Sequence, residues 1–396
     1  MAARRKQSSI SCPVCGERNI FEFLEIPQVP VLCNVLYRTR EAALSAPRGD
    51  IRLGLCRTCG HMFNRAFDPS VLAYTPDYEN TLHFSPRFQA YAEKQAIRLI
   101  DTYGIKNKDI IDIGCGTGEF LELLRRLGNN RGMGFEPRGA AGPGSAEVDI
   151  KIIPDVYSER YAHIPADLVC CRHVLEHVSD PVNFLKAIGR AIQEKDGAVL
   201  FLEVPDAERM LAEGAVWDVI YEHYSYFTGH SMAYLLKRCG FRLVRIAEAF
   251  EGQYITAEAV FAPRPGEKAS APEINTHEVE RVATRFAETH EAKIHVMRSE
   301  LDELKTQGKK AVVWGAGSKG VGFLNALGGD GRIEYAVDVN KRKQGMYIAG
   351  AGQKIVRPEF LKDYCPDIIL MMNPVYEDEI KQHLAELGLS IRLLAP

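Results

Sequence analysis

The run Val219-Ile-Tyr-Glu-His-Tyr-Ser-Tyr-Phe-Thr228 sets one imidazole, His223, beside the carboxylate of Glu222 and among three tyrosines. A histidine changes charge near neutral pH and a neighbouring acid can orient its ring. The pair therefore suits removal of a proton by general base catalysis, with Tyr221 or Tyr224 as a nearby donor. The same residues also read as an aromatic packing cluster in which His223 is hydrogen-bonded for structure. A second constellation, Arg172-His-Val-Leu-Glu-His177, follows an apolar run. Its polar groups are placed to line a pocket, while Val174 and Leu175 read as core. His173 and His177 are four apart and could share a helical face, but that spacing offers a metal no third ligand. His177 is read as a pocket residue.

Asp109-Ile-Ile-Asp-Ile-Gly-Cys-Gly-Thr-Gly118 is a short apolar strand followed by a glycine turn that opens a helix at about Glu119. Glycines let the backbone approach a ligand at the carboxyl edge of an α/β sheet. The spacing is G-x-G-x-G, where dinucleotide sites use G-x-G-x-x-G. It follows Asp112, whose carboxylate can receive the ammonium of a methionine moiety. The next strand ends in Gly134-Phe-Glu136, where an acid can accept hydrogen bonds from both hydroxyls of a ribose. Asp155, in Pro154-Asp-Val-Tyr157, falls where an adenine amino group would be met. The pattern points to S-adenosylmethionine held by Asp112, Gly114, Cys115, Gly116, Gly118, Glu136, Asp155 and Val156, with Arg172 and His173 at the rim. The alternative for Asp112 and Glu136 is that they are ordinary strand-end acids.

Cys12-Pro-Val-Cys15-Gly and Cys56-Arg-Thr-Cys59-Gly are two knuckles of one design. A C-x-x-C turn lets two thiolates converge on one ion, and four thiolates make a closed tetrahedral zinc site with no position left for water, hence a structural one. Such a site can contribute roughly 10 kcal/mol of apparent folding free energy where the core is thin. Cys33 and His61 read as bystanders.

These residues need elements to position them. With 396 residues the chain suits two or three domains, and 46% hydrophobic with 26% charged residues is ordinary for globular proteins. The net charge of -3 is spread over both signs, which gives no footprint for nucleic acid or an anionic membrane. No apolar run approaches the roughly 20 residues of a membrane span, and the basic start leads into polar residues, so a cytoplasmic location is expected. Residues 12–68 read as turn-rich and 69–92 as an irregular connector. From there apolar runs alternate with helices: helix 92–103, strand 109–113, helix 120–127, strand 132–136, strand 168–171, helix 181–193, strand 198–204 and helix 231–238. Such alternation implies parallel βαβ units. The Pro-rich stretch 263–272 reads as a linker, followed by a polar, charged helix over 277–305. A second α/β unit begins at Ala311-Val-Val-Trp314, turns through Gly315-Ala-Gly-Ser-Lys-Gly320 and continues to Tyr335-Ala-Val-Asp338 and Asp367-Ile-Ile-Leu-Met-Met372. That glycine turn invites a nicotinamide reading, with Asp338 as its candidate ribose acid. The expected fold class is α/β, with a zinc-binding segment at residues 1–90, a class I methyltransferase core at 91–265, and a linker helix with a Rossmann-like domain at 266–396.

Taken together the residues resemble the sugar C-methyltransferases of deoxysugar pathways, over nearly the whole chain. The resemblance is carried by the paired knuckles, Tyr74-Thr-Pro-Asp-Tyr-Glu-Asn80 leading to His83, the Asp109–Gly118 loop, Glu222-His223, and the Gly315–Gly320 turn with Val337-Asp-Val-Asn-Lys-Arg-Lys-Gln-Gly345. It implies methylation of the carbon beside a ketone in a nucleotide-linked keto sugar, through an enolate, with zinc purely structural. By matching positions, His223 is the base and Glu222 its neighbour. Tyr221, Tyr224 or His177 donates to the enolate oxygen. Tyr74, Tyr78, His83 and Lys319 contact substrate, and the C-terminal domain closes over the nucleotide end. The expected partner is a small molecule, and the expected state a monomer or homodimer. The alternatives are oxygen methylation of a sugar or other small metabolite, and a non-catalytic zinc- and nucleotide-binding scaffold.

Overall fold

The computed structural model describes residues 10–72, 77–138, 149–263, 275–328 and 331–396. Its central layer is a seven-stranded sheet in the order Phe241–Ala249, Tyr254–Phe261, Val199–Pro205, Leu168–Arg172, Asp109–Ile113, Arg131–Phe135, Ile150–Ile153. The strand pairs among the last five are parallel, and Tyr254–Phe261 runs antiparallel to both of its neighbours. The expected parallel sheet therefore gains a reversed strand and an outer one from the stretch 241–261. Leu168–Arg172 and Val199–Pro205 are buried almost throughout, as strands covered on both faces must be. Strand order reverses between Asp109–Ile113 and Leu168–Arg172, the crevice where such sheets bind ligands.

The helix expected over 92–103 runs Pro86–Tyr103, longer than the apolar period suggests: Ser85 caps it by accepting from the Phe88 amide, and Pro86 occupies the first turn. The segment read as turn-rich holds an antiparallel pair, Ile20–Pro30 with Arg48–Cys56. Its alternation was hidden by bulges between Glu22 and Leu24 and between Ile26 and Val29. Met62–Asn64 extends this sheet, and the fourth strand is Ser225–Tyr226, three residues beyond Glu222. The pairing Met62 with Tyr226 and Phe63 with Ser225 ties the loop after the central sheet to the strand that follows the second knuckle.

In each knuckle the glycine amide bonds back to the first cysteine carbonyl, Gly16 to Cys12 at 2.9 Å and Gly60 to Cys56 at 2.8 Å. Both glycines adopt positive φ, 84° and 70°. The four sulfurs converge, with Cys12 to Cys59 at 3.6 Å and Cys15 to Cys56 at 3.4 Å, and none is in a disulfide. Cys12, Cys56 and Cys59 pack with Phe63 into the core of the central sheet.

The long helix Thr276–Thr306 is more than a charged rod. Ala283, Phe286, Met297 and Leu301 recur at helical spacing and are buried, and the helix packs on the strand Ile20–Pro30 and the helix Ala207–Glu213. The last sheet is five parallel strands in the order Lys354–Val356, Tyr335–Val337, Ala311–Trp314, Ile368–Met371, Arg392–Leu394. Among the described residues no helix is long and apolar enough to cross a membrane.

Replacing Cys56 and Cys59 together by Ser is expected to raise amide hydrogen exchange across residues 222–226 by about tenfold or more, because the strand that pairs with that loop loses its anchor. Unchanged protection there would show that the loop is held independently of the knuckles.

Candidate active site

A cleft of about 870 Å³ is lined by stretches far apart in the chain: the first glycine turn, the polar ends of the central strands, Glu222 and His223, the second glycine turn, and residues 78–85. The first turn is possible only with glycine. Gly114 has φ 70°, and a Cβ there would stand 2.2 Å from Val174 Cγ2. Gly114, Cys115 and Gly116 line the cleft, and Gly118 at φ 88° caps the helix Glu119–Gly128.

Asp112 is 3% exposed, and burial, reinforced by Glu119 and Glu136, pushes its carboxyl up to about 7 against the pull of Arg172. Glu136 accepts from the Gly116 amide at 3.2 Å and is held by Arg138, with Nε 2.6 Å from Oε1. Arg138 also donates to the Tyr78 carbonyl at 2.5 Å and lies over the Tyr78 ring. Sequence reasoning missed this arginine, although a cation two residues past the expected ribose acid was its visible signal. Asp155 and Val156 are not among the residues lining the cleft. The Asp155 carboxylate accepts from its neighbour's amide, from Tyr161 at 2.5 Å and from Arg160 at 3.3 Å, and Val156 is 60% exposed.

At the end of the fourth strand, Arg172 donates to Glu203 Oε1 at 2.9 Å and lies 4.1 Å from the centroid of the Phe120 ring. His173, at φ 55°, places Nε2 2.9 Å from the same oxygen. Burial alone would raise the Glu203 carboxyl, but Arg172, His173 and Tyr91 bring it down to about 2. The rim residues Arg172 and His173 thus converge on one buried carboxylate at the cleft wall.

Glu222 and His223 diverge, although they are adjacent. The Glu222 carboxylate turns away from the imidazole to accept from Tyr78 Oη and the Cys33 amide, both at 2.5 Å, and burial pushes it up to about 7. His223 is half-buried, and burial, then the neighbouring His177 and His173, holds it well below the usual histidine range. His177 lies with its ring 5.0 Å from that of His223, donates from Nδ1 to the Glu222 carbonyl at 2.9 Å, and is lowered to about 4 by burial. Both imidazoles are neutral at pH 7.

Tyr221 and Tyr224 do not face the cleft. The Tyr221 hydroxyl accepts from the Asp68 amide at 3.0 Å and its ring stacks on Phe67; Tyr224 packs against Phe63 and Phe67. The backbone that pairs with Met62–Asn64 directs these two rings into the N-terminal sheet, so the hydroxyl that the fold brings to Glu222 is that of Tyr78. His83 lines the cleft with its ring edge-on to Phe88, and Tyr74 lies outside the described residues.

In the second turn, a Cβ on Gly320 would meet the Gly315 carbonyl oxygen at 2.0 Å. Lys319 lines the cleft and pairs with Asp218 at 2.6 Å. Asp338, the candidate ribose acid, accepts from the amides of Ala316 and Asn340 at 2.9 and 2.8 Å and lines the cleft. The C-terminal sheet is latched to the rest by Glu79, which accepts from Asn340 and Arg342 at 3.2 and 2.9 Å, and by Lys343, which donates to Asn34 at 2.9 Å.

Two family models match the chain: a methyltransferase domain over residues 88–246 and a C-methyltransferase C-terminal domain over residues 268–390. The chain is 26% identical over 399 residues to the C-methyltransferase NovU of Streptomyces niveus, covering 93% of this chain and 90% of that protein. It is 33% identical over 123 residues to the ubiquinone biosynthesis O-methyltransferase of Aeromonas salmonicida, covering 28% of this chain and 51% of that protein. Among solved structures, the magnesium protoporphyrin IX methyltransferase of Synechocystis PCC 6803 aligns with TM-score 0.36 and 14% identity over 47% of this chain and 90% of that one.

Glu203→Gln leaves the Arg172 guanidinium buried without its counter-charge and is expected to lower unfolding free energy at pH 7 by about 3–5 kcal/mol. Because the Glu203 carboxyl is depressed in the folded state, the stability it provides is present above its unfolded value of about 4.3 and is lost as pH falls towards 2. Urea denaturation of both proteins at pH 7 and pH 4 checks this: a penalty that does not shrink with acid contradicts the assignment.

Proposed function

We propose that this S-adenosylmethionine-dependent methyltransferase methylates the carbon beside a ketone in a nucleotide-linked keto sugar or related keto acceptor. The observation that carries this reading is that His223, kept neutral by burial, faces the cleft shared by the two glycine turns. A neutral imidazole at the cleft wall can take an acidic α-proton, whereas a charged one could not.

S-adenosylmethionine supplies an electrophilic methyl group on a sulfonium. Asp112 and the Gly114–Gly118 turn suit its amino-acid end and Glu136 suits its ribose, with Arg138 sharing that carboxylate. His223 accepts the α-proton of the acceptor. Tyr78 and Glu222 then steady the enolate oxygen: a carboxyl raised to about 7 is partly protonated at neutral pH, and the hydrogen-bonded pair then carries two O–H groups, one for the bond between them and one for the enolate. His177 does not fill that role, because its single N–H is spent on the Glu222 carbonyl. Lys319 and the second turn suit the nucleotide end, and the part at 266–396 closes over it. The part at 91–265 holds the cofactor. In the part at 1–90 the four cysteines hold zinc structurally: Zn–S bonds of about 2.3 Å put tetrahedral sulfurs about 3.8 Å apart, close to the separations of 3.4 and 3.6 Å.

His223→Ala is expected to bind cofactor with unchanged affinity by calorimetry while methyl transfer to a nucleotide-keto sugar falls about 10²- to 10⁴-fold. Wild-type protein should also exchange the acceptor's α-hydrogen with solvent deuterium when the cofactor is replaced by its demethylated product. Turnover by His223→Ala at the wild-type rate removes the base assignment, and methylation on oxygen without such exchange favours the O-methyltransferase alternative.

The cofactor's ammonium favours the charged form of Asp112, whose free value is about 7. Affinity is therefore full above that pH and is expected to fall about tenfold per unit below it, a slope that Asp112→Asn abolishes. A flat affinity profile between pH 5 and 8 would remove Asp112 from the ammonium site.

A further inference from the structure

We infer that Glu176, His177 and His223 form a site for a divalent transition-metal ion, separate from the four-cysteine cluster. In the sequence His177 had no adequate set of partners; the fold supplies them by bringing residue 223 against the short turn Leu175–His177. One ligand atom from each of the three residues lies within 4.8 Å of the others. The two imidazole centroids are 5.0 Å apart at 72°. Two histidines bound to one ion at about 2.1 Å and a tetrahedral angle place their centroids about 5 Å apart, so the rings already stand at ligand spacing.

Each residue can offer a metal one lone pair, Glu176 by releasing its proton as the ion binds. His177 donates Nδ1–H to the Glu222 carbonyl, which fixes the tautomer and leaves the lone pair on Nε2; a backbone carbonyl behind the imidazole is the usual outer support of a histidine ligand. His223 is neutral. Glu176 is 2% exposed and lines the cleft, and its Oε2 has no hydrogen-bond partner. A buried carboxylate oxygen left bare costs free energy that a cation offsets directly. Burial pushes Glu176 up to about 8, so a bound ion displaces its proton. Two imidazoles and one carboxylate suit zinc, cobalt, nickel or ferrous ions, whereas magnesium and calcium prefer oxygen ligands. Three protein ligands leave the ion open to the cleft.

With an ion bound, the lone pair of His223 is a ligand electron pair and cannot accept a proton, so occupancy suppresses methyl transfer; this consequence alone rests on the reading of His223 as base.

The test uses the full chain with its cysteine cluster loaded with zinc, titrated with Co²⁺ by calorimetry and visible absorption. The expected result is one further equivalent whose spectrum lacks thiolate-to-cobalt charge transfer. Glu176→Gln, nearly isosteric, should weaken that binding by about 10- to 100-fold, with circular dichroism reporting its fold. The site is overturned by absence of an equivalent beyond the cysteine cluster, or by a correctly folded Glu176→Gln that binds as tightly as wild type. If the variant fails to fold, X-ray absorption of the wild-type protein decides: nitrogen and oxygen neighbours support the site and sulfur neighbours overturn it. Binding with unimpaired methyl transfer supports the site and removes the base role of His223.

Discussion

The arrangement of the cleft depends on a two-residue ladder, Met62–Phe63 against Ser225–Tyr226. Glu222 and His223 sit on a connection leaving the central sheet, and an exposed connection of that kind samples many conformations unless its backbone is paired. The ladder fixes it to the strand that follows Cys59, and the knuckles in turn pack into the core of the central sheet. Four cysteines more than 160 residues from His223 in sequence thereby support the loop that carries it. The same ladder explains why neighbouring side chains divide, with Tyr221 and Tyr224 entering the N-terminal aromatic cluster and Glu222 and His223 facing the cleft.

Burial sets the charge state of the cleft. Asp112, Glu176 and Glu222 are desolvated and raised towards or above neutrality, while Glu203, equally buried, stays ionised because Arg172 and His173 converge on it. The imidazoles of His177 and His223 are depressed by the same desolvation. The result at pH 7 is a pocket in which His177 and His223 are neutral, Glu176 is mostly protonated, Asp112 and Glu222 are partly so, and Glu203 keeps its charge. A site in that condition favours ligands that bring positive charge, such as a sulfonium carrying an ammonium, or a metal ion.

The strand Asp109–Ile113, the glycine turn after it and the acid at 136 could be read from the sequence because they are local. A parallel strand buried on both faces is a continuous apolar run, and a turn that brings backbone to a ligand needs glycine. The strand Ala311–Trp314 and its turn were legible for the same reason, as were the knuckles, whose C-x-x-C spacing turns two sulfurs of one short loop to the same side. The Ile20–Arg48 pair was not, because two bulges break its period, and neither was the buried stripe of the helix Thr276–Thr306 among its charges.

The sequence by itself determined which chemistries were available: an α/β core with a glycine turn for a cofactor, a four-thiolate cluster, and a histidine beside an acid. Tertiary structure alone decided which side chains share a space. It separated Glu222 from the imidazole next to it, gave it Tyr78 from 144 residues away, removed Tyr221 and Tyr224 from the cleft, and set Glu176 and His177 against His223. The reason is physical: residue type and spacing set what a side chain can bond, but its direction and the water around it depend on strand pairing and packing between segments distant in the chain.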